Sequence, residues 1–132
     1  MAHALRVQHK RNYLHITVTG DNTPKDVEQY LSEVREACIA EKCPHVLIEE
    51  NLRGPGLGLL EMFKVIAGAA RPSTEVSCIA YVDVNPEHQL SAQKFAETVA
   101  TNRGMIVRVF EDLPKAEEWL AEYAQGSGNP PQ

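Results

Sequence analysis

Val76-Ser77-Cys78-Ile79-Ala80-Tyr81-Val82-Asp83-Val84 is the most continuously apolar strand-like run in the chain, and its reading decides the fold. Such a run suits a strand covered on both faces at the centre of a sheet. Asn85-Pro86 follows as the start of a helix expected to reach about Asn102, with Ala92, Phe95, Ala96 and Val99 inward. Gly104 fits the cap of that helix, and Met105 to Phe110 reads as the next strand. A strand, a helix and a second strand in this order imply parallel pairing through a right-handed crossover.

The chain opens with a hairpin. Ala4 to His9 and Tyr13 to Thr19 are two short strands around the polar tip Lys10-Arg11-Asn12. In the second strand Leu14, Ile16 and Val18 alternate with Tyr13, His15 and Thr17, the period of a half-buried strand, so the pair forms a hairpin with one face partly wet. Gly20-Asp21-Asn22 is expected to break it. Thr23-Pro24-Lys25-Asp26 then carries the cap, first-turn proline and first-turn acid of a helix. Val27, Leu31, Val34 and Cys38 form its apolar stripe, and it should end near Ala40, before Pro44.

Val46 to Ile48 reads as a buried strand ending in Glu49-Glu50. A loop with Gly54, Gly56 and Gly58 follows, then a helix with Leu60, Phe63, Ile66, Ala67 and Ala70 inward. Asp112 starts the last helix, whose stripe is Ala116, Leu120 and Tyr123. The expected fold is α/β, in the order β-β-α-β-α-β-α-β-α, with a mixed, mainly parallel sheet of five strands and four helices. One domain spans residues 1–124. Gln125 to Gln132, QGSGNPPQ, offers nothing to bury and reads as a disordered tail.

Composition narrows the function classes. The chain has 132 residues, 43% hydrophobic and 23% charged, which suits one globular domain. A formal charge of −5 argues against nucleic acid and anionic membrane surfaces as partners, because both need clustered Lys and Arg. No apolar run reaches the roughly 18 residues of a membrane span, and Met1 to Val7 lacks the apolar core of a signal peptide. The expected compartment is the cytoplasm. Cys38, Cys43 and Cys78, an odd number without framework spacing, are expected to be reduced.

Two segments carry a family resemblance. Val107-Arg108-Val109-Phe110-Glu111-Asp112-Leu113-Pro114-Lys115-Ala116-Glu117-Glu118-Trp119-Leu120 resembles the ending of SpoIIAA-like proteins. There a strand ends in Phe plus an acidic residue, and the following helix carries Ala and then Trp-Leu. Gly56-Leu57-Gly58-Leu59-Leu60 is similar to a helix start in the anti-sigma-factor antagonists. With the element order, these segments resemble the STAS fold from about Leu5 to Tyr123. The resemblance implies a binding or signalling role; the fold is also likened to Sec14-type lipid-binding domains. In the antagonists an Asp-Ser-Ser triplet precedes the Gly-Leu-Gly, and its second serine is phosphorylated by the partner kinase. Arg53-Gly54-Pro55 stands there in this chain, so the phosphoserine switch is not carried over.

Ligands of open α/β sheets sit outside the carboxyl ends of the strands. Here those ends are Glu49-Glu50-Asn51, Asp83-Val84-Asn85 and Glu111-Asp112. Closely spaced carboxylates can raise one another's pKa, exchange protons or hold a divalent cation. The plainer alternative is that Asp83, Asn85 and Asp112 cap helices and the glutamates are solvated. The glycine loop is neither a Walker A loop nor a dinucleotide fingerprint. The histidines at 3, 9, 15, 45 and 88 lack metal-site spacing, and His88 is expected to be exposed.

The expected function is a non-catalytic binding or signalling module that engages a protein partner or small ligand. Glu49, Glu50, Arg53, Gly54, Gly56, Gly58, Asp83 and Asn85 are its expected binding residues. No cofactor and no metal are expected. A homodimer is a further expectation, through Tyr13, Trp119 and Tyr123. The alternatives are a lipid or small-molecule carrier with a pocket between helices and sheet, and a small enzyme using the carboxylate rim.

Overall fold

Eight elements are described in a computed structural model that covers residues 3–54, 61, 64, 65, 76–88 and 90–125. They are β1 (His3–His9), β2 (Leu14–Asp21), α1 (Pro24–Glu41), β3 (His45–Arg53), β4 (Cys78–Asp83), α2 (Leu90–Asn102), β5 (Val107–Phe110) and α3 (Leu113–Gln125). The five strands form one sheet in the order β1-β2-β3-β4-β5. β1 pairs antiparallel with β2, and the other pairings are parallel. The helix expected near residues 60–70 and the tail beyond Gln125 lie outside the described residues.

Local chemistry explains α1. Thr23 accepts a hydrogen bond from the Asp26 amide at 3.1 Å, and Pro24 occupies the first turn. At the other end Lys42 takes φ 55°, and Cys43 N–H reaches the Cys38 carbonyl at 3.0 Å. Val27, Tyr30, Val34 and Cys38 face the sheet. Tyr30 therefore holds a core position that the expected stripe gave to Leu31, which is only partly buried. Asp112 caps α3 by accepting from the Lys115 amide at 2.9 Å, and Gly104 ends α2 with φ 89°.

Each sheet face has its own core. On one, Leu14, Ile16, Val18, Val46, Ile48 and Leu52 pack against α1 and Val65. On the other, Tyr13, Leu47, Cys78, Ala80 and Val82 pack beneath Ala116 and Leu120 of α3. The hairpin face expected to be partly wet is covered at one end, where Tyr13 and His15 are 9% and 8% exposed, and open at the other, where Ala4, Arg6 and Thr19 are exposed. Trp119 tilts against Phe110 and Tyr123 with ring centroids 5.6 and 5.8 Å apart.

Three expectations about the strands are corrected. The sheet centre is β3, because β4 lies one place toward the β5 edge. β2 does not break at Gly20; it runs on to Asp21, with φ 136° at the glycine, a value that a residue with a side chain rarely adopts. β3 does not end at Glu49-Glu50. It continues to Arg53, because both glutamates find partners inside the structure.

Candidate functional site

Side chains alternate along β3, so Glu49 and Glu50 point to opposite faces. Glu49 turns toward the α3 side and accepts from His15 Nε2 at 2.8 Å. Glu50 turns toward α1, where it is 4% exposed. The Tyr30 hydroxyl donates to its Oε2, and Tyr81 also hydrogen-bonds it.

Register places Glu50 directly opposite Asp83 on β4, and both are on the α1 face. Asp83 is held from three directions. Its Oδ1 accepts from the Asn85 amide at 3.0 Å, and its Oδ2 accepts from His88 Nδ1 at 2.7 Å and Gln93 Nε2 at 2.8 Å. His88 Nε2 donates to the Gly54 carbonyl at 2.7 Å. The side chains of Asp83 and His88 are 7% and 1% exposed. The expected exposure of His88 is therefore wrong. After β4 the chain turns through 86–88 before α2 begins at Leu90, and that turn folds the imidazole back onto Asp83.

The electrostatics follow from this enclosure. Burial pushes the Glu50 carboxyl up to about 7; Tyr30 and Tyr81 oppose the rise, Asp83 adds to it, and His88 lowers it. Tyr30 and Tyr81 are pushed well above their usual value, first by burial and then by Glu50, so their hydroxyls stay protonated as donors. Burial disfavours the charged imidazole of His88, but the Gly54 carbonyl and Asp83 outweigh it, and its pKa rises above 6.5. Both ring nitrogens face acceptors, the arrangement that suits an imidazolium.

The remaining expected site residues are placed differently. Arg53 is exposed and reaches Asp21 at 3.1 Å. Asn85 donates from its side chain to the Leu52 carbonyl at 2.8 Å and accepts from the Glu87 amide at 2.8 Å, so it shapes the turn. Gly54 takes φ 97° and aims its carbonyl at His88. Gly56 and Gly58 lie outside the described residues. The structure thus joins Glu50, Asp83, Asn85 and Gly54 in one network and separates Glu49 and Arg53 from it. Tyr30, Tyr81, His88 and Gln93 complete it. Tyr30 was signalled by its helical spacing with Val27 and Val34, and Tyr81 by its place two residues before Asp83.

A cleft of about 150 Å³ opens beside the network at the carboxyl ends of β4 and β5. Asp83, Asn85, His88, Gln93 and Glu111 line it together with Pro86, Leu90, Val109 and Phe110. Donor atoms of Glu50, Asp83 and His88 all lie within 4.8 Å of one another behind it. No helix of the described residues is long and apolar enough to cross a membrane.

No protein-family model and no curated protein matches the chain. Among solved structures, an uncharacterised protein of the DUF3478 family with a SpoIIAA-like fold, from Shewanella loihica PV-4, matches with a TM-score of 0.51 and 23% sequence identity, over 90% of this chain and 94% of that one. The chain accordingly has a SpoIIAA-like fold.

Proposed function

We propose that the chain is a non-catalytic binding or signalling module that takes a small polar ligand, or a protein partner presenting a polar group, at the carboxyl-end rim of its sheet. One observation carries this reading: the cleft has Asp83 and His88 in its wall, and both are fixed by hydrogen bonds to the ends of β3 and α2. Such pre-arranged polar groups orient a ligand at low conformational cost. Arg53-Gly54-Pro55 supports a role without a phosphoserine switch. The free thiols Cys38, Cys43 and Cys78 support a reducing compartment, the cytoplasm.

A second reading, a small enzyme, draws on the convergence of Glu50, Asp83 and His88, since paired carboxyls beside an imidazole can pass protons. The carrier alternative calls for a deep apolar cavity, whereas the cleft at Asp83 is small and has five polar side chains in its wall. A homodimer remains part of the proposal. Trp119 and Tyr123 on α3 are half-buried and leave ring surface for a second copy.

Native mass spectrometry of freshly purified protein tests the reading. The wild type is compared with Glu50→Gln/Asp83→Asn and with the hairpin-tip pair Lys10→Ala/Arg11→Ala on the opposite rim. A bound ligand or partner lost only from the first pair supports the rim. Loss only from the hairpin-tip pair places the site at the other end of the sheet.

A further inference from the structure

We propose that Glu50, Asp83 and His88 form a site for a divalent first-row transition cation, of which Mn²⁺ and Zn²⁺ are the test ions. The proposal rests on the reading of the carboxyl-end rim as the binding site and names the ligand class.

The donor set is the first argument. One oxygen from each carboxyl group and one imidazole nitrogen lie within 4.8 Å of one another. Metal–ligand bonds of about 2.0–2.2 Å place neighbouring donors roughly 3–4 Å apart, so the ion needs side-chain shifts of about 1 Å or less. The three donors come from a strand, the end of its neighbour and the turn after it, so the sheet fixes their spacing. Each is at least nine-tenths buried, by exposures of 4% for Glu50, 7% for Asp83 and 1% for His88. With their protons displaced to solvent by the ion, two carboxylates and a neutral imidazole present two negative charges that a divalent cation matches.

The outer contacts are the second and independent argument. A metal-binding imidazole characteristically donates its other N–H to a backbone carbonyl, and its carboxylate neighbours are themselves hydrogen-bonded. His88 Nε2 does so to Gly54, which is outside the donor set, and that leaves Nδ1 for the ion. Gln93 and the Asn85 amide hold Asp83, and two tyrosine hydroxyls hold Glu50. On binding, the ion takes the place of the proton between His88 Nδ1 and Asp83 Oδ2. An imidazole with two carboxylates favours a transition ion over Mg²⁺ or Ca²⁺. Three protein donors leave positions free, and Asp83 and His88 border the cleft from which water or a ligand would fill them.

Calorimetric titration of chelator-stripped full-length protein with Mn²⁺, and separately with Zn²⁺, tests the site. One ion per chain is expected. Asp83→Asn, Glu50→Gln and His88→Gln should each weaken binding at least about 10-fold. Asp26→Asn/Glu33→Gln, at a separate surface cluster around His3, should leave it unchanged. Circular dichroism reports whether each variant folds. Gln93→Ala removes no ligand and should still weaken binding several-fold, which keeps the test decisive where a ligand variant unfolds. An absence of binding at millimolar ion, or equal affinities in wild type and folded site variants, overturns the proposal. If neither ion binds but Glu50→Gln/Asp83→Asn still loses the native partner, the cation fails and the rim reading stands. If that pair keeps its partner, the rim reading fails as well.

Discussion

Glu50 and Asp83 face each other across β3 and β4 and turn to the same side of the sheet, so two carboxyl groups share one enclosed network with His88. Neither carboxylate could stay buried unpaired at this depth. Tyrosine hydroxyls satisfy one, and an imidazole and an amide satisfy the other.

Removing the imidazole should therefore be costly. His88→Ala leaves the Asp83 carboxylate buried without its cation, and loss of one partner of a buried pair costs about 3 kcal/mol or more. Urea denaturation of wild type and variant measures it. A loss below about 1 kcal/mol would mean that water reaches Asp83 and the pair is not enclosed.

The Glu50 carboxyl gives a pH dependence. Its pKa rises on folding from 4.5 to about 7, so the folded state binds the proton more tightly. The stability that this contributes is fully present below pH 4.5 and is lost as the pH rises through 7, by up to about 3 kcal/mol. Glu50→Gln keeps a neutral, hydrogen-bonding side chain throughout. In metal-free buffer the variant should gain on the wild type between pH 4.5 and 8, as followed by thermal melts. Parallel curves for the two proteins would contradict the buried placement of Glu50.

Gly54 joins backbone geometry to the site. Among the described residues nothing lies within 4 Å of an added Cβ, so the strain of Gly54→Ala comes from φ 97°. That conformation costs an ordinary residue about 1–2 kcal/mol. Relief of the strain would also swing the carbonyl away from His88 Nε2. Denaturation should show that loss, and the imidazole NMR resonances should shift. An unshifted His88 spectrum would show that Gly54 does not position the ring.

Much of the fold was legible because it rests on local chemistry. Thr23-Pro24 marked α1, Asp112 marked α3, and apolar runs marked the strands. What the sequence hid came from pairing between distant segments. Glu49-Glu50 read as a strand end because two adjacent acids look solvated. Only the His15 and Tyr30 partners, supplied by β2 and α1, allow the strand to continue through them. The rim itself was visible from topology, and Asp83, Asn85, Glu50 and Gly54 do meet there. His88 was missed because a histidine in a turn carries no sign of burial. Its enclosure depends on Gly54 and Asp83, 34 and 5 residues away.

The most direct measurement of the central claim, that this buried network is where the fold meets its ligand, is a map of Mn²⁺ on the amide NMR spectrum. Paramagnetic broadening at sub-stoichiometric Mn²⁺ should appear first at Glu50, Gly54, Asp83, His88 and Gln93, and should vanish in Asp83→Asn. Broadening that begins at the hairpin tip Lys10–Arg11, or spreads evenly over the surface carboxylates while this network stays sharp, would contradict the account.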